Sequence, residues 1–145
     1  MALKVNGKNY DWGDVDVKFP GLVLQLQEIS YDDELEMEES YGRGSSPRGY
    51  GTGNYKASGK VSMLRDDYDD LLAYCRAKGI AFYKNDFPSI VVSYANEGER
   101  THIDELKKVK FTKRSNKAAQ GDKNLKVDID MMIVGGIIQD GVKAI

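Results

Sequence analysis

Between Leu125 and Ile133 the chain alternates without a break. Leu125, Val127, Ile129, Met131 and Ile133 fall on one parity, and Lys126, Asp128 and Asp130 on the other. Successive side chains of a strand point to opposite faces, so this pattern predicts a strand with one buried and one wet face. Tyr55–Met63 repeats it: Tyr55, Ala57, Gly59, Val61 and Met63 oppose Lys56, Ser58, Lys60 and Ser62. Leu22–Tyr31 starts in phase at Leu22, Leu24 and Leu26 and then slips, because Ile29 and Tyr31 take the other parity. A β-bulge near Gln27–Glu28 would absorb that slip. Phe87–Tyr94 and Leu106–Thr112 complete the strand set, the second with Val109 and Phe111 inward. The Gly135-Gly136 pair turns the chain, or kinks it, into Ile137 and Ile138.

One helix stands out. Tyr68, Leu71, Leu72 and Cys75 follow the i, i+3, i+4, i+7 spacing, with Asp66 or Asp67 as the cap. Arg76 and Lys78 suit the negative end of the helix dipole, and Gly79 ends it. A single amphipathic helix has to lie on a sheet. The expected fold is therefore mainly β: a β-barrel or sandwich with one packed α-helix and a long inter-strand loop.

That loop is the segment from Asp32 to Asn54. It opens with Asp32, Asp33, Glu34, Glu36, Glu38 and Glu39, then turns Gly-rich around Tyr41, Arg43, Arg48 and Tyr50. Structureless loops longer than about 12–15 residues are uncommon in compact domains and are usually functional or disordered. A chain of 145 residues forms one domain. So long an arm in it implies something outside that orders it, which points to assembly rather than to a pocket.

Composition excludes several classes. A net charge of −2 gives no global pull towards nucleic acid. Local charge is uneven, because Lys107, Lys108, Lys110, Lys113, Arg114 and Lys117 form a basic run. This run is either a solvated strand end or the electrostatic partner of Asp32–Glu39, met within one chain or between chains. The between-chain version is head-to-tail, the kind of contact that closes rings or grows filaments. A single cysteine, Cys75, allows no internal disulfide and suits a reducing compartment. Met1–Tyr10 is polar and lacks the apolar core of a secretory signal, and no stretch reaches the roughly 20 apolar residues of a membrane span. The expectation is a soluble protein of the cytoplasm.

Catalytic and cofactor patterns are weak. His102 is the only histidine and has no partners at metal-ligand or dyad spacing, so it reads as a surface residue. Cys75 lies on the apolar stripe of the helix without a nearby histidine, which makes it a packing residue. Ser58-Gly59-Lys60-Val61-Ser62 fails as a P-loop, since Val61 follows the lysine and the segment alternates like a strand. Gly49, Gly51 and Gly53 open no helix, so they are not a dinucleotide fingerprint. No catalytic, cofactor or metal residue is assigned. Tyr41, Arg43, Arg48, Tyr50 and Tyr55 could stack on single-stranded nucleic acid, but the acids upstream would repel phosphate.

The order of elements suggests a family. Val5-Asn-Gly-Lys-Asn-Tyr-Asp-Trp-Gly13 leads to the Leu22–Tyr31 strand, then to the loop Tyr41-Gly-Arg-Gly-Ser-Ser-Pro-Arg-Gly-Tyr-Gly51. The polar-alternating strand through Gly59–Met63, the helix and further strands follow. This resembles a phage tail tube (tail core) protein of contractile tails and phage-derived particles, a fold shared with the needle ring of type VI secretion. The resemblance implies six copies in a ring, strands joined into one barrel around a channel, and rings stacked into a tube. It also implies that residues 32–54 act as an intersubunit arm. Sheath, tape measure and baseplate tube-initiator proteins would be partners, and DNA would pass without specific binding. The location implied is a virion tail or phage-like particle, assembled in a bacterial cytoplasm.

Two polar strand faces bear on the channel. Lys56, Ser58, Lys60 and Ser62, with Lys126, Asp128 and Asp130, are candidates to line it, and an ordinary wet exterior would look the same. The expected function is a self-assembling structural subunit without catalysis. The alternative is a monomeric β-barrel module that binds nucleic acid through the Gly/Arg/Tyr loop. Phage, bacteriocin-like particle and secretion machine stay open.

Overall fold

The computed structural model describes residues 10–42, 44, 47–96, 98 and 100–145; for Tyr41, Pro47, Arg48 and Tyr50 it describes the backbone only. The strands are β1 (Val15–Lys18), β2 (Leu26–Tyr41), β3 (Pro47–Leu64), β4 (Asp86–Tyr94), β5 (His102–Asn116), β6 (Lys126–Gln139) and β7 (Val142–Lys143). One helix, α1 (Arg65–Lys78), follows β3 directly. All strand pairs are antiparallel, in the order β1-β4-β5-β6-β3-β2, with β7 on β6. The fold is mainly β with one packed helix, as expected. It is a single open sheet, however, and not a closed barrel.

Alternation builds the core. Val127, Ile129, Met131 and Ile133 of β6 are buried beside Ala57, Val61 and Met63 of β3, while Leu125 lies before the strand and stays exposed. Leu106, Val109 and Phe111 of β5 are also buried, although Leu106 and Val109 differ in parity. A register shift between Lys107 and Val109 reconciles them, with Lys108 at φ 51°. The bulge expected near Gln27–Glu28 is present as a shift between Leu26 and Glu28. Tyr68, Leu71 and Cys75 of α1 close over this face, above a ring cluster in which Phe82 stacks on Phe111 at 5.1 Å and Phe87 meets Phe111 edge-on at 5.3 Å.

Neither aspartate caps the helix. β3 runs straight into α1 with Leu64 at the N-cap, and the orphan N–H of Arg65 donates to Leu125 O at 2.9 Å. With that donor satisfied, Asp66 and Asp67 sit in the first turn, where their charge complements the dipole. Gly79 ends the helix in the left-handed conformation.

Gly135-Gly136 kinks β6 and does not turn it, because the strand continues to Gln139. Gly136 takes φ +86°, and a Cβ there would lie 3.3 Å from the Tyr55 ring. The Tyr55 hydroxyl accepts the Ile137 N–H at 3.2 Å and donates to Asp33 at 2.6 Å, so the backbone group freed by the kink is satisfied.

The segment from Asp32 to Asn54 is strand over 32–41 and 47–54, in place of the expected loop. It is the outer part of the β2–β3 hairpin, paired from Asp32↔Ser58 out to Tyr41↔Pro47. Acidic residues form a strand here because the alternation holds: Leu35 and Met37 take one face, and Glu34, Glu36 and Glu38 point to the other, where solvent receives them. The glycines lower strand propensity, but cross-strand hydrogen bonds complete the ladder regardless.

Candidate assembly surface

The hairpin outruns its sheet. β3 pairs with β6 only from Ser58 to Leu64, so among the described residues 47–57 have β2 as their sole strand partner. An isolated two-stranded ribbon is marginally stable in water. Met37 lies on it 64% exposed, on the face that carries the core further down. Asp32 accepts from Ser58 Oγ at 3.1 Å, and Glu36 accepts the Asn54 N–H at 3.2 Å. Asp33 is tied to Tyr55, and Glu34 stands opposite Lys56. Glu38 faces Gly51 and Glu39 faces Tyr50 across the ribbon. Arg43 lies outside the described residues, as do the side chains of Tyr41, Arg48 and Tyr50. The backbones of those three are strand.

The basic run is split by the fold. Lys107 pairs with Glu105 at 2.8 Å and Lys110 with Asp86 at 3.2 Å, both beside their own strand and not on the acidic arm. Lys108 occupies the bulge, and Lys113 stands opposite Asp130. Arg114 turns to the helix side. Its guanidinium lies 4.7 Å from the Phe82 ring and 5.5 Å from that of Tyr83, and Nη1 donates to Tyr68 Oη at 2.9 Å.

On the face away from the core, Lys56, Lys60 and Lys126 are exposed, while Ser58, Asp128 and Asp130 are half-buried. Ser62 is buried and donates to Asp128 at 2.5 Å. Lys60 and Lys113 flank Asp130 in register. Opposite charges on adjacent strands attract, and with Asp32 and Glu34 of β2 opposite Ser58 and Lys56 this face comes close to neutral.

A polar bridge closes the curve of the sheet. The hydroxyl of Tyr31 on β2 donates to Asp104 of β5 and lies 2.5 Å from that of Tyr94 on β4. Gln139 Nε2 donates to the same carboxylate oxygen at 3.3 Å. In a flat sheet β2 and β4 would stand about 19 Å apart, at roughly 4.8 Å per strand. Contact between their side chains therefore requires a strong curl. Burial and the Asp104 hydrogen bond push the Tyr31 hydroxyl far above its ordinary value.

His102 opens β5 half-exposed, with Nδ1 2.9 Å from Asp140 Oδ2, while Arg100 reaches that same oxygen at 2.6 Å. The His102 hydrogen bond, with help from Arg100, lowers the Asp140 carboxyl below the usual carboxylate range. Cys75 is buried, with Asn85 Nδ2 3.7 Å from its sulfur, and burial raises the thiol. A thiol held protonated is a poor nucleophile. Among the described residues no cluster of His, Cys, Asp or Glu is placed to hold a metal.

The geometry presents open strand edges, an arm and a curved polar face. Solved structures share it. The cap that terminates the anti-feeding prophage tube matches 92% of this chain and 90% of its own length, at TM-score 0.68 and 14% identity. A chain of the sheath–tube complex of PVC, an extracellular contractile injection system in its extended state, matches 90% of both chains at TM-score 0.69 and 12% identity. The SPP1 tail tube matches 92% of this chain and 80% of its own, at TM-score 0.65 and 14% identity. No family model matches the sequence, and no curated protein does. The chain has the tail tube fold.

Proposed function

We propose that this chain is the self-assembling subunit of the tail tube of a phage or phage-like particle, with a structural and not an enzymatic role. Copies join into hexameric rings, and rings stack around a channel that passes DNA or another cargo. The observation that carries this reading is the hairpin arm, which projects from a curved open sheet with Met37 exposed. Among the described residues no further strand covers either outer edge of that sheet. A second copy would cover both the arm and the sheet edges. This removes the aggregation liability of open strands. The buried surface would offset the cost of ordering the arm.

The near-neutral face formed by Lys56, Ser58, Lys60, Lys126, Asp128 and Asp130, with Asp32 and Glu34 beside them on β2, suits a channel that does not hold its cargo, because balanced charges give phosphate no net attraction. Ser62 contributes by fixing Asp128. Partners proposed on the likeness to tubes in sheath and baseplate complexes are a sheath, a baseplate initiator and a tape measure, within a tail particle assembled in a bacterial cytoplasm.

Negative-stain electron microscopy of the concentrated protein tests this. Rings or hollow tubes are expected, and deletion of residues 41–53 should leave a folded monomer that forms neither. A wild-type chain that stays monomeric, with or without a tube initiator, and binds an oligonucleotide at low salt would overturn it in favour of the nucleic-acid module.

A further inference from the structure

We propose that the guanidinium pair Arg65 and Arg114, with Tyr83, is the receptor for the acidic arm of a second copy of this chain. The proposal rests on the tube reading and adds which surfaces meet when one copy is placed behind another.

Both receptor arginines are already held by contacts within their own chain. Arg114 is held against the rings of Phe82 and Tyr83 and hydrogen-bonded to Tyr68. Arg65 lies 5.2 Å from the Tyr68 ring, donates from Nε to Asp69 at 3.0 Å and from Nη1 to Asn116 at 3.1 Å. An arginine already stacked and hydrogen-bonded loses little further freedom when it meets a carboxylate, and its planar fork suits that ligand. Arg114 is exposed, and among the described residues no carboxylate pairs with it. Lys107 and Lys110 differ from Arg114, since each already has an acid of its own, and Arg65 shares its charge with Asp69 while its stacked guanidinium stays at the surface. Tyr83, 44% exposed beside Arg114, supplies an anchor of the kind that dominates interfaces.

The ligand matches in charge and shape. Glu34, Glu36 and Glu38 are exposed and share one face of β2. Across the ribbon from Glu38 and Ser40 lie Gly51 and Gly49, where an added Cβ would meet nothing within 4 Å. Glu38 therefore stands beside bare backbone, and an aromatic–guanidinium surface can approach it without a clash, while Glu34 stands opposite Lys56.

Position makes the contact intermolecular. Glu36 bonds Asn54, whereas Arg65 follows the far end of β3. The intervening strand spans on the order of 35 Å at about 3.3 Å per residue. One copy cannot bring the two together, but a translated copy can. The contact is heterologous and repeats along an axis.

Charge reversal tests this. The wild type, Arg114→Glu, the double variant Glu36→Arg with Glu38→Arg, and the combination of all three are sedimented over a concentration series. Each one-sided reversal should raise the concentration needed for assembly about tenfold or more, as expected for a close interfacial charge pair, and the combination should restore most of it. If the wild type assembles and the one-sided variants match it, or the combination is no better than they are, the receptor is elsewhere and the tube reading stands. If the wild type never assembles, with or without a tube initiator, and binds an oligonucleotide at low salt, both fall. Should circular dichroism show Arg114→Glu unfolded, Arg65→Glu takes its place, because Arg65 lies at the surface. The arm variants lie outside the core and probe the same contact from its other side.

Discussion

Tyr31 and Asp104 lie at opposite sides of the curved sheet, and the hydroxyl of the first donates to the carboxylate of the second. Asp104 is buried, no cation pairs with it among the described residues, and its remaining described donor is Gln139. Tyr31→Phe would leave that carboxylate under-bonded in a low-dielectric site. The expected loss is about 1–3 kcal/mol in urea denaturation. Tyr94→Phe removes only the outer link of the chain and should lose less, about 1 kcal/mol. A Tyr31→Phe variant as stable as the wild type would mean that the curl is held by packing alone.

The same hydroxyl makes stability fall in alkali. Tyr31 has its folded pKa raised above 10.0, first by burial and then by Asp104. Below pH 10 both folded and unfolded states keep the proton, and the contribution is fully present. Above it the unfolded state ionises first, so stability declines as pH rises towards the folded value. The slope is at most about 1.4 kcal/mol per pH unit, and less because the half-buried hydroxyl is partly screened by solvent. Denaturation curves between pH 8 and 11 should show this decline, and Tyr31→Phe should flatten it.

Gly59 is fixed by its neighbours and not by its backbone angle. A Cβ there would lie 2.8 Å from Met131 Cε and 2.9 Å from the Ser30 carbonyl oxygen. The methionine end can move aside, but the carbonyl belongs to the paired strand β2. Gly59→Ala should therefore destabilise by about 1–3 kcal/mol, as overpacking does, with the helix content unchanged by circular dichroism.

Strand faces are legible where one side meets the core. Val127 to Ile133 and Val61 to Met63 announce themselves by period, and the parity slip before Ile29 marks its bulge. The arm is illegible as a strand because Gly49, Gly51 and Gly53 read as loop residues, and the acids obscure the alternation of Leu35 and Met37. A ribbon without a core behind it has no reason to be apolar. The Tyr31–Asp104 bond spans 73 residues and leaves no local signal. Arg114 reads in the sequence as one more member of a basic run. Only the shift between Phe111 and Lys113 turns it onto Phe82, away from the lysines.

Asp140 sits at φ 49° in the turn before β7, a conformation that Asn tolerates as well as Asp. Asp140→Asn thus removes the charge and keeps the turn. The folded carboxyl has its pKa lowered by His102 and Arg100, so its contribution is present above about pH 4 and is lost as pH falls through the folded value. The melting temperature of the wild type should exceed that of Asp140→Asn at neutral pH, and the gap should close in acid. A gap that persists at pH 2 would assign the effect to something other than this charge.

Met37 separates folding from assembly. It lies on the arm beyond the core, and exposed substitutions of this kind change monomer stability by no more than about 0.5 kcal/mol. Burying a methionine side chain at an interface contributes about 1.5–3 kcal/mol. Met37→Gln keeps the length of the side chain while removing that gain. Its urea midpoint should match the wild type, and the concentration at which tubes sediment should rise by about tenfold, following the 1.4 kcal/mol per decade of an equilibrium constant. Equal midpoints with equal assembly would show that this face of the arm stays wet in the tube. A lowered midpoint would show instead that Met37 packs within its own chain.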